Sequence, residues 1–280
     1  MNNKSLRSYC HPVDASVIRV LSNPVTHCLI SEFVKLTADA NFGSMLASGV
    51  PVNENSFPQV NALVDHCVEV LRIRKPYVVV SSSAGFNAFT MGSDENPGIV
   101  IGSMLINMLT NEQLLFVIGH ECGHIAMGHV VYTAAANLMK MFATNVPVIG
   151  DMLNMTAGAA LNAWSRRSEI SADRAGLLCC ADLSSAQKAL LQLELGFADM
   201  ENTDLEDYVK SSENYLQQGL LRKVGEYSVG HPLLPKRIKA LDMFMNSSLL
   251  YRICGQTPPD DAITDRDLCL RIEKLIRVIG

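Results

Sequence analysis

The sequence predicts an α+β chain, mostly helical, in which one core helix packs on a small three-stranded sheet. Three observations lead there. Apolar residues recur at helical spacing along most of the 280 residues, three short β-prone runs lie between Tyr77 and Ile101, and the run that begins near Leu114 is apolar on nearly all sides. With 48% apolar residues the chain can fill a core, and no internal repeat or flexible linker divides it. The expected organisation is an N-terminal helical extension over 1–56 and one main domain over 57–280.

In order along the chain, Val17, Ile18, Val20 and Leu21, then Ile30, Phe33 and Val34, mark two short helices broken at Asn23-Pro24. Gly49 to Asn53 reads as turn and short extended pieces. Val60, Leu63, Val64, Cys67, Val68 and Leu71 place one apolar face on a helix from about Phe57 to Leu71. Tyr77–Ser81, Asn87–Met91 and Ile99–Ile101 are the three strands, with Asp94 to Gly98 as a turn. Ser103 to Leu109 reads as a short helix.

Thr110-Asn111-Glu112-Gln113 has the spacing of a capping box and starts the next helix, the one that runs into the apolar region. Helices are also expected from Ser165 to Cys180, from Asp182 to about Leu195, around Tyr208 to Val224, from Lys236 to Met245 and from Thr264 to Val278.

Composition excludes some functions. The net charge of −5 and the absence of a basic run argue against nucleic acid as a partner. Eight scattered cysteines without a C-x-x-C pair fit reduced thiols and a cytoplasmic location. Lys4 and Arg7 are not followed by the apolar core of a secretory leader, so none is expected. Between Ile125 and Ser165 the charge-free runs are broken by Lys140, Asp151 and Pro147, and none reaches the roughly 18–20 residues of a membrane span. Buried helices are expected there, with peripheral membrane contact through 125–165 left open.

The chemistry centres on His120-Glu121-Cys122-Gly123-His124. On a helix, His120 and His124 lie four residues apart on one face and can converge on one metal ion. Burying these histidines and Glu121 without partners would cost several kcal/mol. A catalytic zinc uses three protein ligands and keeps a fourth position for water. Glu169 is the best candidate for the third ligand, and Asp173, one turn on, can hold a ligand histidine by its other ring nitrogen. Glu169 could instead pair with Arg166 or Arg167, and Asp173 could pair within its helix. Glu121 is left as the general base and His231 as the candidate for oxyanion stabilisation, although His231 could equally be an ordinary turn residue before Pro232. His129 lies one residue beyond helical register from His124 and is expected to be packed or hydrogen-bonded rather than a ligand.

H-E-C-G-H, followed by S-R-R-S-E-I-S-A-D-R and G-H-P-L-L-P-K-R and preceded by Asn87-Ala88-Phe89, resembles the zinc metallopeptidases typified by the bacterial heat-shock membrane protease and the eukaryotic CAAX prenyl protease. The resemblance spans about Asn61 to Tyr251 in four ordered motifs and is of the gluzincin type. It implies a zincin-like fold and one Zn2+ per chain held by His120, His124 and Glu169. It also implies Glu121 as catalytic base, Asp173 behind the ligands and His231 in the active site. Asn87, Ala88 and Phe89 would belong to an edge strand along which a polypeptide substrate adds as a further strand. The chain lacks the clear apolar helices of the membrane-spanning members and resembles their soluble or peripheral branch. Cys122 stands where the family usually has an aliphatic residue.

The expected activity is zinc-dependent endopeptidase, with 57–280 as the catalytic domain. The alternative is a catalytically silent metallopeptidase-like protein that binds unfolded chains or partners. In the first case the N-terminal helices could cover the cleft and keep the enzyme latent.

Overall fold

The computed structural model describes residues 8–21, 43, 49–93, 95–130, 147–196, 207–212 and 232–277. The second N-terminal helix expected from Ile30 onward, most of the helix expected from Tyr208, and His231 lie outside the described residues.

Helix α1 (Pro12–Leu21) is followed by strand β1 (Val50–Pro51) and helix α2 (Pro58–Leu71). Strands β2 (Tyr77–Ser81), β3 (Ala88–Gly92) and β4 (Pro97–Gly102) come next, with a 3-10 turn at Ser82–Ala84 between the first two. Then come helices α3 (Ser103–Met108), α4 (Asn111–Met127), α5 (Pro147–Cys180), α6 (Leu183–Leu195), α7 (Leu234–Met245), α8 (Ser248–Ile253) and α9 (Asp265–Ile276). The class is α+β and mostly helical, as expected.

The sheet has four strands instead of three, in the order β1-β2-β4-β3. The added strand is two residues long, with Val50 opposite Val80 and Pro51 opposite Val79. Such a short pairing leaves no alternation to read, and Pro51 is tolerated because the strand lies at an edge. β2 runs parallel to β4 with Val79 opposite Val100, while β3 runs antiparallel to β4 with Phe89 opposite Val100. β4 is buried along its whole length, and β3 forms the other edge.

Helix α4 starts as its sequence requires. Thr110 Oγ1 accepts from the Gln113 amide, and the Gln113 side chain accepts from the Thr110 amide at 2.9 Å. Phe116, Val117, Ile118 and Cys122 are buried in the core it shares with Val64 of α2, Ile99 of β4 and Leu177 of α5. It ends at Gly128, where φ is 70°.

α5 begins at Pro147, well before Ser165, and lies against α4 along glycines. A Cβ on Gly123 would stand 2.6 Å from the Ala175 Cβ, and one on Gly119 would stand 2.7 Å from the Cys179 Cβ. A Cβ on Gly176 of α5 would meet the Phe116 carbonyl oxygen at 2.7 Å. These three positions set how closely the two helices approach.

α6 is capped by Asp182, and α9 by Thr264. α9 is held to α5 by a bidentate pair in which Arg167 donates to both Glu273 carboxylate oxygens, at 2.8 and 2.6 Å. α8 was not anticipated, because six residues show no period of their own. The seven described cysteines are free thiols. No helix among the described residues is long and apolar enough to cross a membrane.

Candidate metal centre

Two adjacent helices supply the polar cluster. On α4, His120 and His124 are one turn apart, and their Nε2 atoms stand 3.2 Å from each other. From α5, Glu169 places Oε2 3.7 Å from His120 Nε2 and Oε1 3.6 Å from His124 Nε2. Among the described residues these three form the group of side chains able to share a metal ion. A tetrahedral zinc with ligands at about 2.0–2.1 Å separates its donor atoms by about 3.3 Å, so the spacing fits.

The chemistry of the donors fits as well. His120 Nδ1 lies 2.9 Å from Asp173 Oδ1, which fixes the ring proton on Nδ1 and leaves Nε2 with a lone pair. Asp173 is an acceptor here because Arg237 from α7 grips both its oxygens, at 2.8 and 2.6 Å. Burial alone would raise the Asp173 carboxyl, but Arg237 and His120 outweigh it and bring the pKa down to about 2. Arg237 also reaches to 3.4 Å from Glu169 Oε2. Two imidazole lone pairs and a carboxylate thus converge on one point, an arrangement that calls for a cation.

Glu121 follows the first histidine and points elsewhere. Its Oε2 accepts from Thr90 Oγ1 of β3 at 2.5 Å. Burial raises its carboxyl above the ordinary range, against the lowering effects of His120 and Thr90. Glu121 shares a cavity of about 510 Å³ with His120, His124, Glu169 and Arg237. Asn87, Ala88, Phe89 and Thr90 line its β3 side, and Pro232 and Leu234 line another.

The structure therefore brings together His120, Glu121, His124, Glu169 and Asp173, and it places Asn87, Ala88 and Phe89 along the same cavity. The roles of Thr90 and Arg237 do not show in the sequence, although Thr90 falls within the expected strand Asn87–Met91. Arg237 lies within the G-H-P-L-L-P-K-R stretch, but nothing local ties it to Asp173, 64 residues away. His129 is hydrogen-bonded, with Nδ1 2.9 Å from His124 Nδ1 and Nε2 3.0 Å from Asp14 Oδ2.

Comparison with known proteins adds a second line. The model of peptidase family M48 matches residues 54–244. The plastoglobule-localized metallopeptidase 48 of Arabidopsis thaliana, a chloroplastic protein, is 31% identical over 220 residues, covering 74% of this chain and 64% of that protein. A protease HtpX homolog of Halobacterium salinarum is 34% identical over 80 residues, 29% of this chain and 28% of its own length. Protease HtpX homolog 1 of Streptomyces coelicolor is 23% identical over 221 residues, covering 69% of this chain and 73% of that protein. The chain thus spans less than two thirds of the length of the first two relatives.

Proposed function

The chain belongs to peptidase family M48, and from that premise we propose that it is a zinc-dependent endopeptidase whose general base is Glu121. One observation carries the reading: His120, His124 and Glu169 converge within 3.2 to 3.7 Å beside a buried carboxylate that binds none of them. His120, His124 and Glu169 would hold the ion. A zinc ion supplies Lewis acidity, polarising a carbonyl and bringing the pKa of water towards about 7.

The remaining steps fall to the chain's own residues. β3, an edge of the sheet among the described residues, offers backbone donors and acceptors to an extended polypeptide, which adds as a further strand next to Asn87, Ala88 and Phe89. An edge of this kind binds the middle of a chain without contacting its ends, which favours an endopeptidase. Glu121 takes the proton of the attacking water and returns it to the leaving amine. Thr90 holds the Glu121 carboxylate in place, while Asp173 and Arg237 hold His120. His231, outside the described residues, is proposed to stabilise the oxyanion.

The direct test is metal content together with hydrolysis of casein, for wild type and for Glu169→Ala. Stoichiometric zinc and cleavage in the wild type, both lost in the variant, support the proposal. Metal retained without its carboxylate ligand contradicts the assigned site. We also propose a cytoplasmic protein that touches a lipid surface through 125–165; the plastoglobule location in the name of the Arabidopsis relative supports the lipid contact alone. Flotation with liposomes tests that, and a chain that stays at the bottom of the gradient rules it out.

A further inference from the structure

Asp14 lies on α1, outside the 54–244 stretch that matches the family model, and it is fully buried. Its carboxylate receives four donors. His129 Nε2 stands at 3.0 Å, Ser171 Oγ at 2.6 Å and Cys10 Sγ at 3.3 Å from Oδ2, and Trp164 Nε1 stands at 2.9 Å from Oδ1. An indole N–H can only donate, and a carboxylate surrounded in this way stays ionised and only accepts. Burial would raise the Asp14 carboxyl, but hydrogen bonds from His129, Ser171 and Cys10 hold it below its ordinary value.

The proton between Asp14 and His129 therefore belongs to His129 Nε2. In the neutral ring Nδ1 is then an acceptor, and it faces His124 Nδ1 at 2.9 Å. His124 must carry its proton on Nδ1, which leaves Nε2 bare towards His120 and Glu169. The His129 ring is held in this orientation by Trp164, packed edge-on at 5.8 Å between centroids and 87° between planes. Asp173 does for His120 in one bond what Asp14 does for His124 in two.

We propose that Asp14 and His129 form a positioning relay that fixes the tautomer of His124, so that the N-terminal helix α1 is part of the metal centre. The proposal rests on the zinc reading above. It also sets α1 apart from a cover whose removal would activate a latent enzyme, because losing Asp14 should weaken the centre it supports.

The test compares four full-length proteins by zinc affinity in chelator competition, by the visible spectrum of the Co2+ form, and by circular dichroism of the metal-free form. In Asp14→Asn the amide offers a donor to His129 Nε2, which reverses the relay and puts a proton on His124 Nε2. His129→Leu removes the acceptor altogether, whereas His129→Gln retains both an acceptor for His124 and a donor for Asp14. Asp14→Asn and His129→Leu should bind zinc about 10- to 100-fold more weakly with an altered Co2+ spectrum, the usual effect of losing a ligand's hydrogen-bond partner. His129→Gln should stay within about threefold of wild type, since it keeps both of those hydrogen bonds. A role in packing alone would favour the apolar Leu over Gln in this buried position, and that order overturns the proposal. Wild-type affinity in all three variants also overturns it. A wild type that binds no zinc overturns the function reading, and the relay with it.

Discussion

Thr90 Oγ1 on the edge strand β3 donates to Glu121 Oε2 at 2.5 Å, which ties the strand proposed to bind substrate to the residue proposed to act as base. Hydrogen bonds to charged groups contribute about 1.5–3 kcal/mol. Thr90→Val keeps the shape of the strand and removes that donor. kcat on casein should fall about ten- to a hundredfold with KM little changed, because the loss falls on the base and not on strand pairing. The sign with pH follows from Glu121 having to be ionised. Its pKa is already raised by burial, Thr90 opposes the rise, and so the acid limb of kcat should move to higher pH in the variant.

Gly123 sits between His120 and His124, the two histidines proposed as ligands, against α5. An added methyl would stand 2.6 Å from the Ala175 Cβ and 3.1 Å from the Ala172 Cα, both fixed close to backbone. Alanine improves helix propensity by about 1 kcal/mol, but overpacking at a backbone contact costs about 1–3 kcal/mol and should outweigh it. Gly123→Ala is expected to lower the thermal midpoint and to weaken zinc binding together, because α5 carries Glu169. Calorimetry and chelator competition on the same sample check both.

Much of this centre was legible in the sequence because its signals are local. The capping box runs over the four residues from Thr110 to Gln113, His120 and His124 lie one turn apart, and so do Glu169 and Asp173, so each pair shows as a spacing along one helix. What escaped was set by tertiary contact. Arg237 meets Asp173 across 64 residues and Asp14 meets His129 across 115, and no period in the chain announces either. β1 escaped for a different reason: its two residues gain a partner only when the sheet exists. The glycines at 119, 123 and 176 stood in plain view, but their meaning lies in the approach of α4 to α5.

Arg237 and Asp173 form a bidentate pair with side chains only 16% and 2% exposed. Removing one partner of such a pair typically costs about 3–5 kcal/mol, because the other charge stays buried and uncompensated. Arg237→Met should therefore lower the unfolding free energy of the metal-free protein, measured in urea, by that order. A variant as stable as wild type would show that Asp173 finds another donor.

Asp182 caps α6, accepting from the Ser185 amide at 3.0 Å, and hydrogen bonds from the Ser185 side chain and backbone hold its carboxyl below the ordinary value. Asp182→Ala should cost about 1 kcal/mol at neutral pH. Because the folded pKa is depressed, the stabilisation is fully present above the unfolded value near 3.9 and is lost as pH falls through the folded value. The gap between wild type and variant should narrow accordingly in denaturant melts taken from pH 7 down towards pH 3.

The central claim is that Glu121 acts as a base beside a metal held by other residues. It is tested most directly by measuring zinc content and casein hydrolysis on the same preparations of wild type and Glu121→Gln. One zinc per chain is expected in both proteins, with turnover in the wild type and a loss of several orders of magnitude in the variant. Equal turnover in the two, or stoichiometric zinc with no cleavage of any unstructured substrate by either, would contradict it.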